Sequence, residues 1–460
     1  MRIWRIVCLL SIVAPVVRGQ GVANDTTRTY RLGEVVVTAT RSLISVKDSP
    51  TAVEVIDLRQ VQNANGNTVA DVLQTYSSVF LKNYGGSAAL KTVSLRGTAS
   101  EHLLVLVNGN RLNSFQNGLV DFSLLPLSDV ERIEIVHGGS SALYGADALG
   151  GVLNILTRQA SPGMRLRAEV GVGSFGFQRY LLESQGRVGR LGLLAGYSDQ
   201  RGRDDFPFHL ERASLSNTTL QRANSDFQRR QAYLHGDVAL DAHSVLTFSA
   251  QHVLADRGVS GSVLYPTDHA RQNDKDVNLL LSYLDNHLEG VELTIRSGFH
   301  YNFETYVDPS YLINSYYKNI FVNLNPQVQI LISESQRLIM GGELGRGILY
   351  GNDFDGEVRR VQKSAYVSNE FQFDFDRAMF DKVSLYQTVR YDNISDVDFA
   401  VTPKFGVNFR LFKEGDVRFR ASVGRNFRAP SFNDMYYRGF SNPNLKPERS
   451  TSFDVGVLAG

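Results

Sequence analysis

The stretch Glu131-Arg132-Ile133-Glu134-Ile135-Val136-His137-Gly138-Gly139-Ser140-Ser141-Ala142-Leu143-Tyr144-Gly145-Ala146-Asp147-Ala148-Leu149-Gly150-Gly151-Val152-Leu153-Asn154-Ile155-Leu156 decides how the chain is read. Ser128 and Glu131 have the spacing of a capping box that opens a short helical turn, and Ile133, Ile135 and Val136 then form a β-branched run that predicts a strand. Gly138, Gly139, Gly145, Gly150 and Gly151 predict positive φ angles or backbone approaches too close for a side chain. A segment of that composition is built to be enclosed by other parts of the chain.

Upstream, Leu32 to Arg41 is a short β-prone peptide, suited to adding as a strand to another protein's sheet edge through main-chain hydrogen bonds. Val53-Glu54-Val55-Ile56 predicts a strand, and Asn67 caps a helix with apolar positions Val69, Val72, Leu73 and Tyr76. Val93 to Gly97 and Leu103 to Gly109 supply two more strands. Residues 42–160 therefore read as a small α+β domain of mixed sheet and short helices.

From Met164 onward the pattern changes to long period-two alternation. Met164, Leu166, Ala168, Val170 and Val172 share one face, with Arg165, Arg167 and Glu169 on the other. The same holds for Val417, Phe419, Ala421 and Val423 against Arg418, Arg420 and Ser422. One face suits lipid and the other a wet lumen. Short connections near 186–190, 240–243, 286–290, 333–336 and 413–416 alternate with long polar ones near 200–226, 255–273, 304–315, 350–359 and 429–448. That asymmetry predicts a membrane barrel of about fourteen strands over 161–460, not a soluble sandwich.

The termini and composition agree. Arg2 and Arg5 precede an apolar run from Ile6 to Val17, which predicts a signal peptide over 1–20, short of the roughly 20 apolar residues of a spanning helix. Cys8, the only cysteine, lies inside it, so the mature chain is expected to form no disulfide and no cysteine metal site. A net charge of +1 gives no basic excess to recruit nucleic acid, while 40 Gly, 26 Phe and 20 Tyr lean towards β structure with aromatic girdles.

Through these features the chain resembles the TonB-dependent outer-membrane receptors. The resemblance implies a mainly β protein: an N-terminal α+β plug domain inside an antiparallel transmembrane β-barrel in the bacterial outer membrane. A leader at 21–41 would carry the TonB box, with Glu34, Val35, Val36, Val37, Thr38 and Ala39 on the matching positions. Arg96, Gly97, Asn108 and Gly109 occupy the plug's turn positions, and Glu134, Gly138, Gly145, Gly150 and Gly151 its closing segment. Arg96 is expected to pair with Glu134 across the plug. Where the family has Arg-Gly-Pro, this chain has His137-Gly138-Gly139, so His137 is either a hydrogen-bonded turn residue or a group titrating near neutrality. Asn426 to Phe432 and Asn442 to Glu448 resemble two further motifs that family members carry well inside the barrel. Because the family barrel closes at about 22 strands and this chain stops within a strand at Val457-Leu458-Ala459-Gly460, the barrel is expected to be truncated.

The resemblance also implies function. Ser94 to Asn113 is most like the cobalamin receptors, with ferric-siderophore receptors close behind. The expected ligand contacts are Asn83, Tyr84, Gly85, Gly86 and Ser87 with Asn113, Ser114, Phe115, Gln116 and Asn117. The implied partners are TonB with its inner-membrane energising complex, outer-membrane lipid and a small-molecule chelate, and no nucleic acid. No cofactor is implied beyond candidate calcium ligands Asp199, Asp204, Asp205 and Asp226, an oxygen-rich set in a long loop. A passive porin or adhesin barrel is the alternative, and it predicts neither plug nor TonB box. Enzymatic readings fail on context: Gly171 to Gly176 spells a dinucleotide fingerprint, but Phe177 to Leu182 continues as a strand where a helix is required.

Overall fold

The computed structural model describes residues 35–36, 38–57, 60–61, 66–212, 215–263, 265–375, 379–412 and 416–459. The signal-peptide reading, Glu34 and Val37 lie outside the described residues.

The N-terminal part is built on β1 (Val35–Val36), β2 (Ile44–Ser45), β3 (Val53–Ile56), β4 (Val79–Asn83), β5 (Lys91–Leu95), β6 (Leu103–Val107), β7 (Asn110–Arg111), β8 (Val130–His137) and β9 (Gly151–Thr157). Its central sheet has the order β3-β8-β9-β6-β7, with β6 and β9 parallel and the other neighbours antiparallel. Helix α1 (Val69–Leu73) buries Val69, Val72 and Leu73 against Ile56, Val93, Leu95, Val105, Ile133 and Ile155. Each such side chain contributes about 1.5–3 kcal/mol by leaving water. The N-cap is Thr68, one residue later than expected, because the Asp71 carboxylate takes the backbone N–H groups of both Asn67 and Thr68. The expected capping box at Ser128 and Glu131 does not form. Glu131 already lies in β8, and the Ser128 hydroxyl donates to Gln231 at 2.5 Å.

The glycine-rich segment is enclosed, as its composition predicts. Helix α2 (Ser141–Tyr144) within it has all four residues buried. Gly145 has φ +77°, and a Cβ there would lie 2.9 Å from an Arg390 guanidinium nitrogen. A Cβ on Gly151 would lie 2.5 Å from the Val136 carbonyl oxygen.

A fourteen-stranded antiparallel meander follows: β10 (Arg165–Val172), β11 (Gln178–Val188), β12 (Leu191–Gly202), β15 (Phe227–Ala239), β16 (Ser244–Gly258), β17 (Arg271–Asp285), β18 (Val291–Asp308), β19 (Ile313–Ser333), β20 (Gln336–Gly351), β21 (Val358–Asp374), β22 (Met379–Ile394), β23 (Phe399–Phe412), β24 (Val417–Arg428) and β25 (Glu448–Leu458). The hairpin β13 (Pro207–Arg212) and β14 (Leu215–Gln221) stands outside it, in the connection from β12 to β15. Among the described residues β10 and β25 are the edges of this sheet. The alternation divides the two faces: Val389 and Tyr391 point outward, whereas the alternating Thr388, Arg390 and Asp392 are buried on the inside. The exposed apolar rows form the lipid face. Connections β11–β12, β15–β16 and β19–β20 are tight, while β12–β15, β16–β17 and β24–β25 are long and define the external rim.

Candidate functional site

At the N-terminal end, β1 pairs with β2, and Val36, Ala39 and Ile44 join a buried cluster with Leu104, Leu106, Val136, Leu143, Tyr144 and Val152. Thr38 sits in a polar socket at the edge of that cluster. Its backbone N–H and its hydroxyl both donate to Glu134 Oε2, at 3.1 and 2.5 Å. Asn154 Nδ2 donates to the Thr38 hydroxyl at 3.0 Å, and the Tyr144 hydroxyl donates to the Thr38 carbonyl at 3.0 Å. Burial raises the Tyr144 hydroxyl above its ordinary pKa, so it stays a donor. The opposite Glu134 oxygen holds Arg132 at 2.8 Å.

That arrangement corrects one expectation. Arg96 does not meet Glu134; it pairs with Asp454 on β25. Arg132 lies two residues from Glu134 on the same strand and so on the same face, which puts it closer to the carboxylate than any cation on another turn. Arg96 and Gly97 form a turn with φ +51° and +74°, and Asn108 and Gly109 form a second with φ +49° and +82°. The Asn108 side chain bridges to Thr157. These four residues shape turns.

Beyond Thr38 the segment is pinned to the barrel wall. The Arg41 guanidinium lies 4.6 Å from both the Tyr144 and the Tyr366 ring centres, a cation held between two aromatic faces. The Ser42 hydroxyl donates to Glu370, Lys382 reaches Asp48 at 3.0 Å, and Arg418 also pairs with Asp48. The glycine-rich segment is held in the same way: Lys404 donates to the Gly139 carbonyl at 2.9 Å and the Asp147 N–H donates to the Phe427 carbonyl at 3.2 Å. Arg111 pairs with Asp147 at 2.5 Å, both nearly buried. Asp129, fully enclosed, accepts from His235 Nε2 at 3.0 Å and from Gln231 and Gln251. Burial alone would raise its pKa, yet these donors hold it below the ordinary carboxylate range.

His137 settles between its two readings. Its backbone N–H donates to the Ala52 carbonyl at 3.0 Å, and its ring is buried 3.3 Å from Glu54 Oε1. Burial lowers its pKa below the usual 6.5 against the opposing pull of Glu54, so it is neutral at neutral pH, and it ends strand β8 instead of lying in a turn.

At the external end the expected ligand residues fall into two groups. Asn83, Tyr84 and Ser87 are exposed, Gly85 is half-buried and Gly86 is buried. Lys82 lies over the Tyr84 ring at 4.5 Å, and Ser87 is tied to Asp204 of the β12–β15 connection by its hydroxyl at 2.9 Å. In the second group Asn113 is a structural bracket. Its side chain accepts from Val105 N–H and donates to the Leu103 and Gly118 carbonyls, which uses both of its N–H donors. Ser114, Phe115 and Asn117 are half-buried, and Gln116 is buried with its Oε1 taken by Asn319 at 2.8 Å. Beneath them lies a cavity of about 180 Å³, lined by Asn117, Asp276, His300, Asn302 and Glu304 among others. It is smaller than the roughly 300–1,000 Å³ of ordinary small-molecule sites and does not by itself hold a large ligand.

Sequence reasoning missed the cover of this loop. In the β24–β25 connection, helix α3 (Phe432–Tyr436) donates from the Phe432 and Asn433 N–H groups to the Phe115 and Gln116 carbonyls, both at 2.8 Å. Phe115 is wedged between Phe321 and Phe432 at 5.1 and 6.0 Å. The buried Arg360 lies 4.8 Å from the Phe432 ring centre and pairs with Asp396 at 2.8 Å. Ser431, with Asp434 three residues on, is a capping signal that could have revealed the helix.

The four candidate calcium ligands are not brought together. Asp199 accepts from Gln228, Asp204 from Ser87, Asp226 from Arg271, and Asp205 lies 3.8 Å from Arg203. Among the described residues no group of three or more acidic, histidine or cysteine side chains is arranged to hold a metal ion.

A small mixed-sheet domain tied along its length to the inner wall of a lipid-facing antiparallel barrel defines a plugged outer-membrane receptor. Residues 45–152 match the TonB-dependent receptor plug domain, and residues 176–458 match the TonB-dependent receptor-like β-barrel. The chain belongs to the TonB-dependent receptor family, whose members are outer-membrane receptors and transporters. It is 26% identical over 433 residues to the vitamin B12 transporter BtuB of Photobacterium profundum, covering 92% of this chain and 66% of that protein. The siderophore receptor PirA from Pseudomonas aeruginosa has the same fold, with a TM-score of 0.65 and 19% identity over 89% of this chain and 72% of that one. So does a single-substitution mutant of the ferric enterobactin receptor PfeA from the same organism, with a TM-score of 0.72 and 16% identity over 93% and 71%. The chain spans about two thirds of the length of the curated relatives it matches.

Proposed function

We propose that this receptor imports a large, scarce nutrient across the outer membrane, with a cobalamin as its cargo and TonB as the source of energy. The observation that carries the reading is the stowed N-terminal segment. Thr38 is hydrogen-bonded to Glu134, and Val36 and Ala39 are buried in the plug beside it. A passive pore has no use for a peptide folded away in this manner. Cargo would be caught at the rim by Asn83, Tyr84 and Ser87 with the 114–117 loop. The segment around Val35 to Ala39 would then be drawn out as an extended strand for TonB to pair with. Cobalamin is favoured over a ferric siderophore because the Ser94 to Asn113 stretch has the cobalamin-receptor pattern and the relative similar over 92% of this chain is a vitamin B12 transporter.

The test is uptake of radiolabelled cyanocobalamin by cells that lack their own cobalamin receptor and express this protein. Uptake that requires TonB is the expected result. Accumulation of ferric siderophore in place of cyanocobalamin would correct the cargo, and uptake of either that is independent of TonB would contradict the energised mechanism.

A further inference from the structure

We infer that Glu134 is the positioning residue that keeps the TonB-binding segment stowed, through a latch lying wholly inside the plug. The inference rests on the reading of residues 34–39 as the partner's docking strand. One carboxylate oxygen, on a side chain fully excluded from solvent, receives both donors of Thr38. The other oxygen receives Arg132. Asn154 and Tyr144 complete the socket by taking the remaining hydrogen-bonding positions of Thr38. Every one of these partners belongs to the plug: Glu134 to β8, Tyr144 to α2 and Asn154 to β9. Among the described residues the contacts to the barrel wall begin at Thr40 and Arg41, which face Glu370 and Tyr366.

This division sets an order of release. Among the described residues the hydrogen bonds of Thr38 all run to the plug, so Thr38 can leave its socket while Arg41, Ser42 and Asp48 stay clamped to β21, β22 and β24. Arg41 carries φ +65°, a left-handed kink at the boundary between the two parts. Tension applied by a partner therefore peels Thr38 from Glu134 first and reaches the plug-to-wall contacts second.

Glu134 is suited to the task because no neutral residue can replace it. A glutamine there would either turn its amide nitrogen towards the Thr38 donors or turn it towards the Arg132 guanidinium, and in each orientation two donors face each other. Hydrogen bonds to a charged acceptor are strong enough that losing one shifts an opening equilibrium about tenfold or more.

The experiment places a reporter cysteine at the buried Val36 (V36C) in the full chain in outer-membrane preparations. It reads the rate of labelling by a bulky maleimide and the binding of the purified periplasmic domain of TonB, without cargo. Glu134→Gln and Thr38→Val are each added to that background. Thr38→Val removes only the hydroxyl and leaves the Glu134–Arg132 pair intact, so it reports on the latch even if Glu134→Gln perturbs the plug. Heat-modifiable migration of the barrel confirms folding. Labelling faster by about tenfold in the folded variants is the expected result. Labelling no faster than in the Val36→Cys parent overturns the latch. Faster labelling without binding of the TonB domain supports the latch and instead overturns the reading of residues 34–39 as the docking strand.

Discussion

The Phe432 N–H, on a helix of the external rim, donates to the Phe115 carbonyl at the top of the plug over 2.8 Å. Rim and plug are thus joined backbone to backbone, and the Phe115 and Phe432 rings close over the joint. Cargo that shifts the rim helix must also shift the loop beneath it. Phe432→Ala removes a fully buried ring, a change that typically costs about 3–5 kcal/mol where a site cannot collapse. The expected result is faster amide exchange at residues 432 and 433, with the β-sheet amides unchanged. Equal protection in the variant would show that the rings do not hold the joint.

Plug stability should fall in mild acid because of His137. Its pKa is lower folded than unfolded, so folding excludes a proton that the unfolded chain binds. The stabilisation is present in full above the unfolded value of about 6.5. It is lost as pH falls from there through the depressed folded value. Glu54, Arg96 and Asp454 face the ring and modulate the effect. Denaturant midpoints measured from pH 8 to pH 5 should drop for the parent, and His137→Gln should flatten this part of the profile.

Two ion pairs should behave oppositely. The Arg111–Asp147 pair is nearly buried at 2.5 Å, so Arg111→Met leaves a carboxylate unpaired and should cost about 3–5 kcal/mol. Arg96 is 44% exposed in its pair with Asp454, and Arg96→Met should cost about 0–1 kcal/mol. Chemical unfolding of the two variants side by side checks the ranking.

Gly151→Ala should prevent the plug from forming. Its Cβ would press on the Val136 carbonyl oxygen, and both residues are fixed in the β8–β9 ladder, so neither backbone can yield. Gly163→Ala meets nothing within 4 Å, and its cost is confined to its positive φ, about 1 kcal/mol. Protease resistance of residues 42–160 should be lost in the first variant and kept in the second.

What the sequence revealed follows from what is local in it. Period-two alternation such as Met164 to Val172, with short and long turns in alternation, is written into consecutive residues, and it led to the fourteen strands of the sheet. The five glycines of the closing segment announced enclosure for the same reason. Pairings between distant residues were not legible. Opposite charge and a shared domain suggest Arg96 as the partner of Glu134, whereas the strand gives Glu134 to Arg132 and the position of β25 gives Asp454 to Arg96. Asn113 lies in the expected ligand loop, and its amide also holds three backbone groups that only the folded chain brings together. The acids of the β12–β15 connection share a stretch of sequence, yet each finds its own donor.

The stowed segment is proposed to convert bound cargo into energised import. Deleting residues 35–38 separates the two steps, because the rim proposed to bind cargo is built from other parts of the chain. With radiolabelled cyanocobalamin on intact cells, the expected result is that the deletion keeps surface binding and reduces accumulation to the level of cells lacking TonB. Accumulation equal to that of the undeleted protein would contradict it.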